Sequence, residues 1–93
     1  EDFLVAFDAM KRGTIVGEAS GGSTGQPLMI SLPGGGNARI VSKRDVYPDG
    51  REFVGVGIQP DIKASPTIAD LRKGCDTVLE TALLALKGKQ KNN

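Results

Sequence analysis

The groups able to do chemistry fall in two places. The first is the loop Gly17-Glu18-Ala19-Ser20-Gly21-Gly22-Ser23-Thr24-Gly25, which sets three hydroxyls among glycines. Glycine-rich loops turn backbone N–H groups toward anions, but this one has no lysine and opens no evident helix. That argues against a nucleotide phosphate. Ser20, Ser23 and Thr24 have no base beside them in the sequence and read locally as turn formers. The second group is the carboxylates Glu18, Asp45, Asp49, Glu52 and Asp61, whose spacing fits no metal-ligand pattern. The chain has no His, so no Ser-His or Cys-His pair and no His-containing zinc site can be built from it. Its one cysteine, Cys75, excludes an intrachain disulfide and reads as an incidental exposed thiol. Nothing in the sequence asks for a metal or another cofactor.

The elements that must position these groups alternate helix and strand. Phe3, Phe7 and Met10, with Ala6 between them, recur at helical spacing and predict an amphipathic helix that Gly13 ends. Thr14-Ile15-Val16 predicts a short buried strand feeding the glycine loop. Leu28, Ile30 and Leu32 alternate on a second strand. Pro33-Gly34-Gly35-Gly36-Asn37 reverses the chain into a return strand over Ala38 to Tyr47, making a hairpin. Tyr47-Pro48-Asp49-Gly50 is a turn, and Phe53, Val54, Val56 and Ile58 predict a fourth strand interrupted by Gly55 and Gly57, where a neighbouring backbone passes close. Thr67 caps a short helix, Ile68 to Lys73, closed by Gly74. Asp76 caps the last helix, whose stripe Val78, Leu79, Ala82, Leu83, Leu86 stops before Gly88. The expectation is one α/β unit in the order α-β-β-β-β-α-α.

Composition narrows the partners. Twelve basic and eleven acidic side chains nearly cancel, which gives no reason to expect nucleic acid. The basic run Lys87 to Lys91 reads as a solvated, frayed end. No apolar run approaches the ~20 residues of a membrane-spanning helix, and no signal peptide is evident. Thirteen glycines and four aromatics give only a modest core for 93 residues. The first residues already read as the inside of a helix, so the chain is expected to be a piece of a longer polypeptide.

Three stretches taken in order resemble one family. Glu1-Asp2-Phe3 leading to Lys11-Arg12-Gly13-Thr14-Ile15-Val16-Gly17-Glu18 is similar to the helix and strand after the nucleophile of C-terminal processing (tail-specific) serine peptidases. Tyr47-Pro48-Asp49-Gly50-Arg51 resembles their P-D-G-R turn, and Gly55-Val56-Gly57-Ile58-Gln59-Pro60-Asp61 their G-x-G-I-x-P-D segment. The resemblance covers residues 1 to about 62, with 63–93 as terminal helices and tail.

It implies the C-terminal part of a ClpP/crotonase-like α/β peptidase domain and a peptide or protein substrate. On the family pattern the nucleophilic Ser stands three residues before Glu1, outside the chain, so these residues alone are expected to be inactive. The bacterial and plastid branch uses a Lys base after the glycine loop's lead-in, where this sequence has Ser23. The branch of tricorn protease and the interphotoreceptor retinoid-binding protein repeats uses a Ser-His-Ser-Glu tetrad. Its Glu falls where this sequence has Val54, with Glu52 two residues earlier; with Ser23 in place of the lysine, the resemblance is closer to this branch. Glu52 is therefore the candidate catalytic residue, against a plain reading as a solvated hairpin carboxylate. Gly21, Gly22 and Ser23 are the candidate peptide-binding loop, by strand addition. A non-catalytic peptide- or ligand-binding relative with the same fold is the alternative. Family habit implies export, to the periplasm in bacteria, and apolar surface left uncovered implies self-association.

Overall fold

A computed structural model describes residues 1–91. The first helix, α1, is Asp2–Ala9. It is shorter than expected: Met10 caps it, and Lys11 already leaves the helix with a φ of +50°. The expected buried stripe is rotated. Leu4, Val5, Phe7 and Asp8 are half-buried, while Phe3 (76% exposed) and Met10 face solvent. The Phe3 and Phe7 rings stack 5.8 Å apart. Asp2 lies in the first turn, where a helix's free N–H ends favour a carboxylate.

The described chain forms two units: Glu1–Met10 with Ser20–Ile58, and Lys11–Ala19 with the chain from Gln59 on. In the first unit, strands β2 (Pro27–Ser31) and β3 (Asn37–Val41) pair antiparallel, Leu28 opposite Ile40 and Ile30 opposite Ala38. Alternation puts these four residues on one face. The return strand ends at Val41, not Tyr47. Beyond it, a Val46–Glu52 bridge closes the turn, in which the Gly50 N–H donates to the Tyr47 carbonyl at 2.8 Å and the Arg51 N–H to Asp49 Oδ1 at 3.0 Å.

Among the described residues, Tyr47, Phe53 and Ile58 form the buried hydrophobic core. The two rings meet edge-on at 5.8 Å, the Arg51 guanidinium lies 4.3 Å from the Tyr47 ring centre, and the Tyr47 hydroxyl donates to Asp8 Oδ2 at 2.7 Å. A small centre is thereby tied to α1.

The fourth strand expected over Phe53–Ile58 is a turn instead. The Val56 and Gly57 N–H groups both return to the Phe53 carbonyl, at 3.2 and 2.7 Å. Gly55 and Gly57, at φ +87° and +83°, lie outside the extended region, so the apolar alternation there cannot become a ladder.

In the second unit, β1 (Val16–Gly17) pairs parallel with β4 (Ile62–Lys63). Asp61 aligns them: its backbone N–H donates to the Ile15 carbonyl at 2.8 Å, and its Oδ2 accepts from the Ile15 N–H at 2.8 Å. Helix α2 (Ile68–Lys73) begins at Thr67, whose hydroxyl accepts from the Asp70 N–H, and ends on left-handed Gly74, as expected. Helix α3 (Thr77–Lys91) begins where Asp76 Oδ1 accepts from the Leu79 N–H at 3.0 Å, and Val78 packs beside Gly17. The helix runs through Gly88 rather than stopping before it, so the backbone of Lys87 to Lys91 is helical; Asn92 and Asn93 lie outside the described residues.

Candidate functional site

Glu1 stands at the N-terminus of α1, where its carbonyl accepts the first helical bond, from the Val5 N–H at 2.9 Å. Its side chain does not cap the helix. Instead the carboxylate crosses to the glycine loop. Oε1 accepts from the Gly22 N–H at 2.6 Å and the Ser23 N–H at 3.4 Å, and Oε2 accepts from the Thr24 hydroxyl at 2.9 Å. Desolvation is the largest single influence on this carboxyl and raises its pKa. Hydrogen bonds from Thr24, Gly22, Ser23 and Ser20 together outweigh it and hold the group below its ordinary value of 4.5.

The far side of the loop is sewn to the Phe53–Ile58 turn. Ser20 exchanges backbone and side-chain bonds with Ile58: its N–H donates to the Ile58 carbonyl at 3.1 Å, and its Oγ accepts from the Ile58 N–H at 2.8 Å. The Gly55 N–H donates to the Gly22 carbonyl at 2.7 Å. These approaches need glycine. A Cβ on Gly22, at φ +66°, would stand 2.8 Å from the Gly57 N and 2.9 Å from the Gly55 N, and one on Gly57 would overlap the Ser20 backbone. The close backbone passage expected at Gly55 and Gly57 is thus present, without the strand.

Gly21, Gly22 and Ser23 accordingly sit in a loop clamped between a helix-terminal carboxylate and a glycine turn. Glu52 lies elsewhere. Its side chain is 60% exposed and paired with Arg44 across the Tyr47 turn. Beside the clamp opens a cleft of about 650 Å³, lined by the loop's outer end, Asp2, the base of the hairpin, Arg39, Lys43 and Asp45. Among the described residues no cluster of His, Cys, Asp or Glu could hold a metal ion, and no helix is long and apolar enough to cross a membrane. The role of Glu1 as loop anchor was not foreseen. Its partners lie more than twenty residues away, and only a carboxylate at a helix start followed by a hydroxyl-bearing glycine loop hinted at it.

The model of Peptidase family S41 matches residues 1–64, more than half of the chain, and the chain belongs to that family of serine peptidases. No curated protein matches it.

Proposed function

We propose that this chain supplies the helix-and-loop side of a serine endopeptidase site that cleaves peptide bonds through an acyl-enzyme. The observation that carries this reading is the Glu1 clamp, which holds the glycine loop beside the start of α1. A serine three residues ahead of Glu1, as the family pattern places it, would stand at that helix start. There the free N–H groups and dipole stabilise a developing oxyanion. The clamped loop then offers its backbone to an extended peptide.

On the same reading the domain is ClpP/crotonase-like, C-terminal processing is the form of activity, and these 93 residues alone do not hydrolyse. The branch is that of tricorn protease, since Ser23 stands where the other branch has its lysine. Export to the periplasm follows from the same likeness. A second reading, a non-catalytic peptide binder of the same fold, is favoured by one observation: the Glu52 carboxylate is engaged by Arg44 at an exposed turn. Fluorophosphonate labelling of the full-length protein separates the two. Labelling is expected, and a folded protein that takes no label would give the site to the binder.

Self-association belongs to this proposal too. Leu28 and Ile40, opposite each other on the hairpin, are 55% and 53% exposed and offer an apolar face for a second copy to cover.

A further inference from the structure

We infer that Tyr47 and Asp8 are positioning residues for the reaction at the other end of α1. This rests on the peptidase reading above and adds how the reacting end of that helix is aimed. The Tyr47 hydroxyl donates to Asp8 Oδ2 at 2.7 Å, and the tyrosine ring is buried edge-on against Phe53. The Arg51 guanidinium lies over the same ring and is itself held by Asp49. Asp8 therefore meets a fixed point.

A carboxylate suits the end of a helix poorly. Asp8 lies in the last turn of α1, where the carbonyl ends carry partial negative charge and no basic residue stands. A lysine would serve the helix better there, so the bond to Tyr47 is what accounts for the carboxylate. At the other end, Glu1 is tied to the glycine loop. Carboxylates thus hold α1 at both ends, and their partners lie in one stretch, Ser20–Ile58. No residue of α1 is fully buried among the described residues, so side-chain burial alone does not fix its direction. Cutting the Tyr47 tie leaves the helix free to tilt about Glu1, which redirects the free N–H groups at its start. A misplacement of about 1 Å at a reacting group costs up to about 100-fold in rate. With the Glu1 tie intact the shift is smaller, and about 10-fold is expected.

Full-length protein is labelled with a fluorophosphonate over a range of probe concentrations, which gives a limiting rate and a half-saturating concentration. Tyr47→Phe should lower the limiting rate about 10-fold and move the half-saturating concentration less than about twofold, since the loop stays clamped. Asp8→Ala should do the same, and the double variant should lose no more than either, because both remove one bond. Asp8→Asn keeps an acceptor for the hydroxyl and should restore most of the rate. Thr67→Ala, which removes the cap of α2 in the other unit, controls for a purely structural loss and should label at the wild-type rate. Additive single losses, an Asn variant as slow as Ala, a Thr67→Ala as slow as Tyr47→Phe, or a Tyr47→Phe as fast as wild type would each overturn the pair. A wild type that takes no label removes the peptidase reading and the pair's role with it. That result is distinct from a wild type that labels while its Tyr47 and Asp8 variants keep pace.

Discussion

Gly22 and Gly55 meet backbone to backbone: the Gly55 N–H donates to the Gly22 carbonyl at 2.7 Å, with no room at Gly22 for a side chain. This joint holds the candidate binding loop against the turn after the core residue Phe53. Gly22→Ala should cost about 2–4 kcal/mol, from a left-handed φ and from backbone atoms that cannot yield. Gly34→Ala is the control. It also has positive φ, but nothing lies within 4 Å, so only about 1 kcal/mol is expected. Urea denaturation of both variants measures the difference. Equal costs would mean the crowding at Gly22 is relieved by loop movement.

The Tyr47 hydroxyl is bonded to Asp8, and its pKa is pushed up to about 12, first by burial and then by that carboxylate. The folded value lies above the unfolded one near 10, so folding holds the proton more tightly. The stabilisation is whole below pH 10 and lost as pH rises through 12. Absorbance of this single tyrosine at alkaline pH should show a midpoint near 12 in folded protein, and Asp8→Asn should bring it down. Tyr47→Phe should cost about 1 kcal/mol by denaturation.

The Glu1 clamp has the opposite sign. Its carboxyl lies below the usual 4.5 in the folded protein, so its contribution is complete above that pH and fades as pH falls through the lowered value. NMR should show the Gly22 and Ser23 amide signals moving together below pH 4.5, away from their clamped positions. Glu1→Gln should leave them displaced at neutral pH. Amide signals that ignore both changes would remove Glu1 from the site.

How much of this was legible beforehand depended on sequence distance. Thr67, Gly74 and Asp76 act within a turn of themselves, and the capped helices follow from their residue types. The hairpin was readable because Leu28, Ile30, Ala38 and Ile40 repeat at the pleat's period across a short reversal. The segment Phe53–Ile58 misled because an apolar alternation looks the same whether its glycines extend or turn, and only φ at Gly55 and Gly57 decides. The pairing of Val16 with Ile62 and the reach of Glu1 to Gly22 were invisible for another reason. Both join distant residues through backbone groups that every residue carries.

The cap of α2 gives a local test. Thr67 Oγ1 accepts from the Asp70 N–H at 3.1 Å, while Asp70 Oδ2 accepts from the Thr77 hydroxyl at 2.6 Å, so one carboxylate ties the starts of α2 and α3. Hydrogen bonds from Thr77, then Thr67, hold the Asp70 carboxyl below its ordinary value. Thr67→Ala should cost about 1 kcal/mol, and Thr67→Ser should recover most of it. A serine variant as unstable as alanine would show that the methyl group, not the hydroxyl, was responsible.

The hairpin carries the last prediction. Leu28 and Ile40 face each other across β2 and β3 at 55% and 53% exposure, with Ile30 and Ala38 continuing the same face. Contiguous apolar surface of this kind stays wet at a cost proportional to its area, and a second copy offers an identical face to cover it. Sedimentation of the 93-residue chain should therefore show a concentration-dependent shift to dimer or larger. Ile40→Lys, placing a charge in the centre of the face, should return it to monomer without unfolding the hairpin. A wild-type chain that stays monomeric at every concentration would mean that the exposed face is tolerated by the free chain, and the self-association reading would fall.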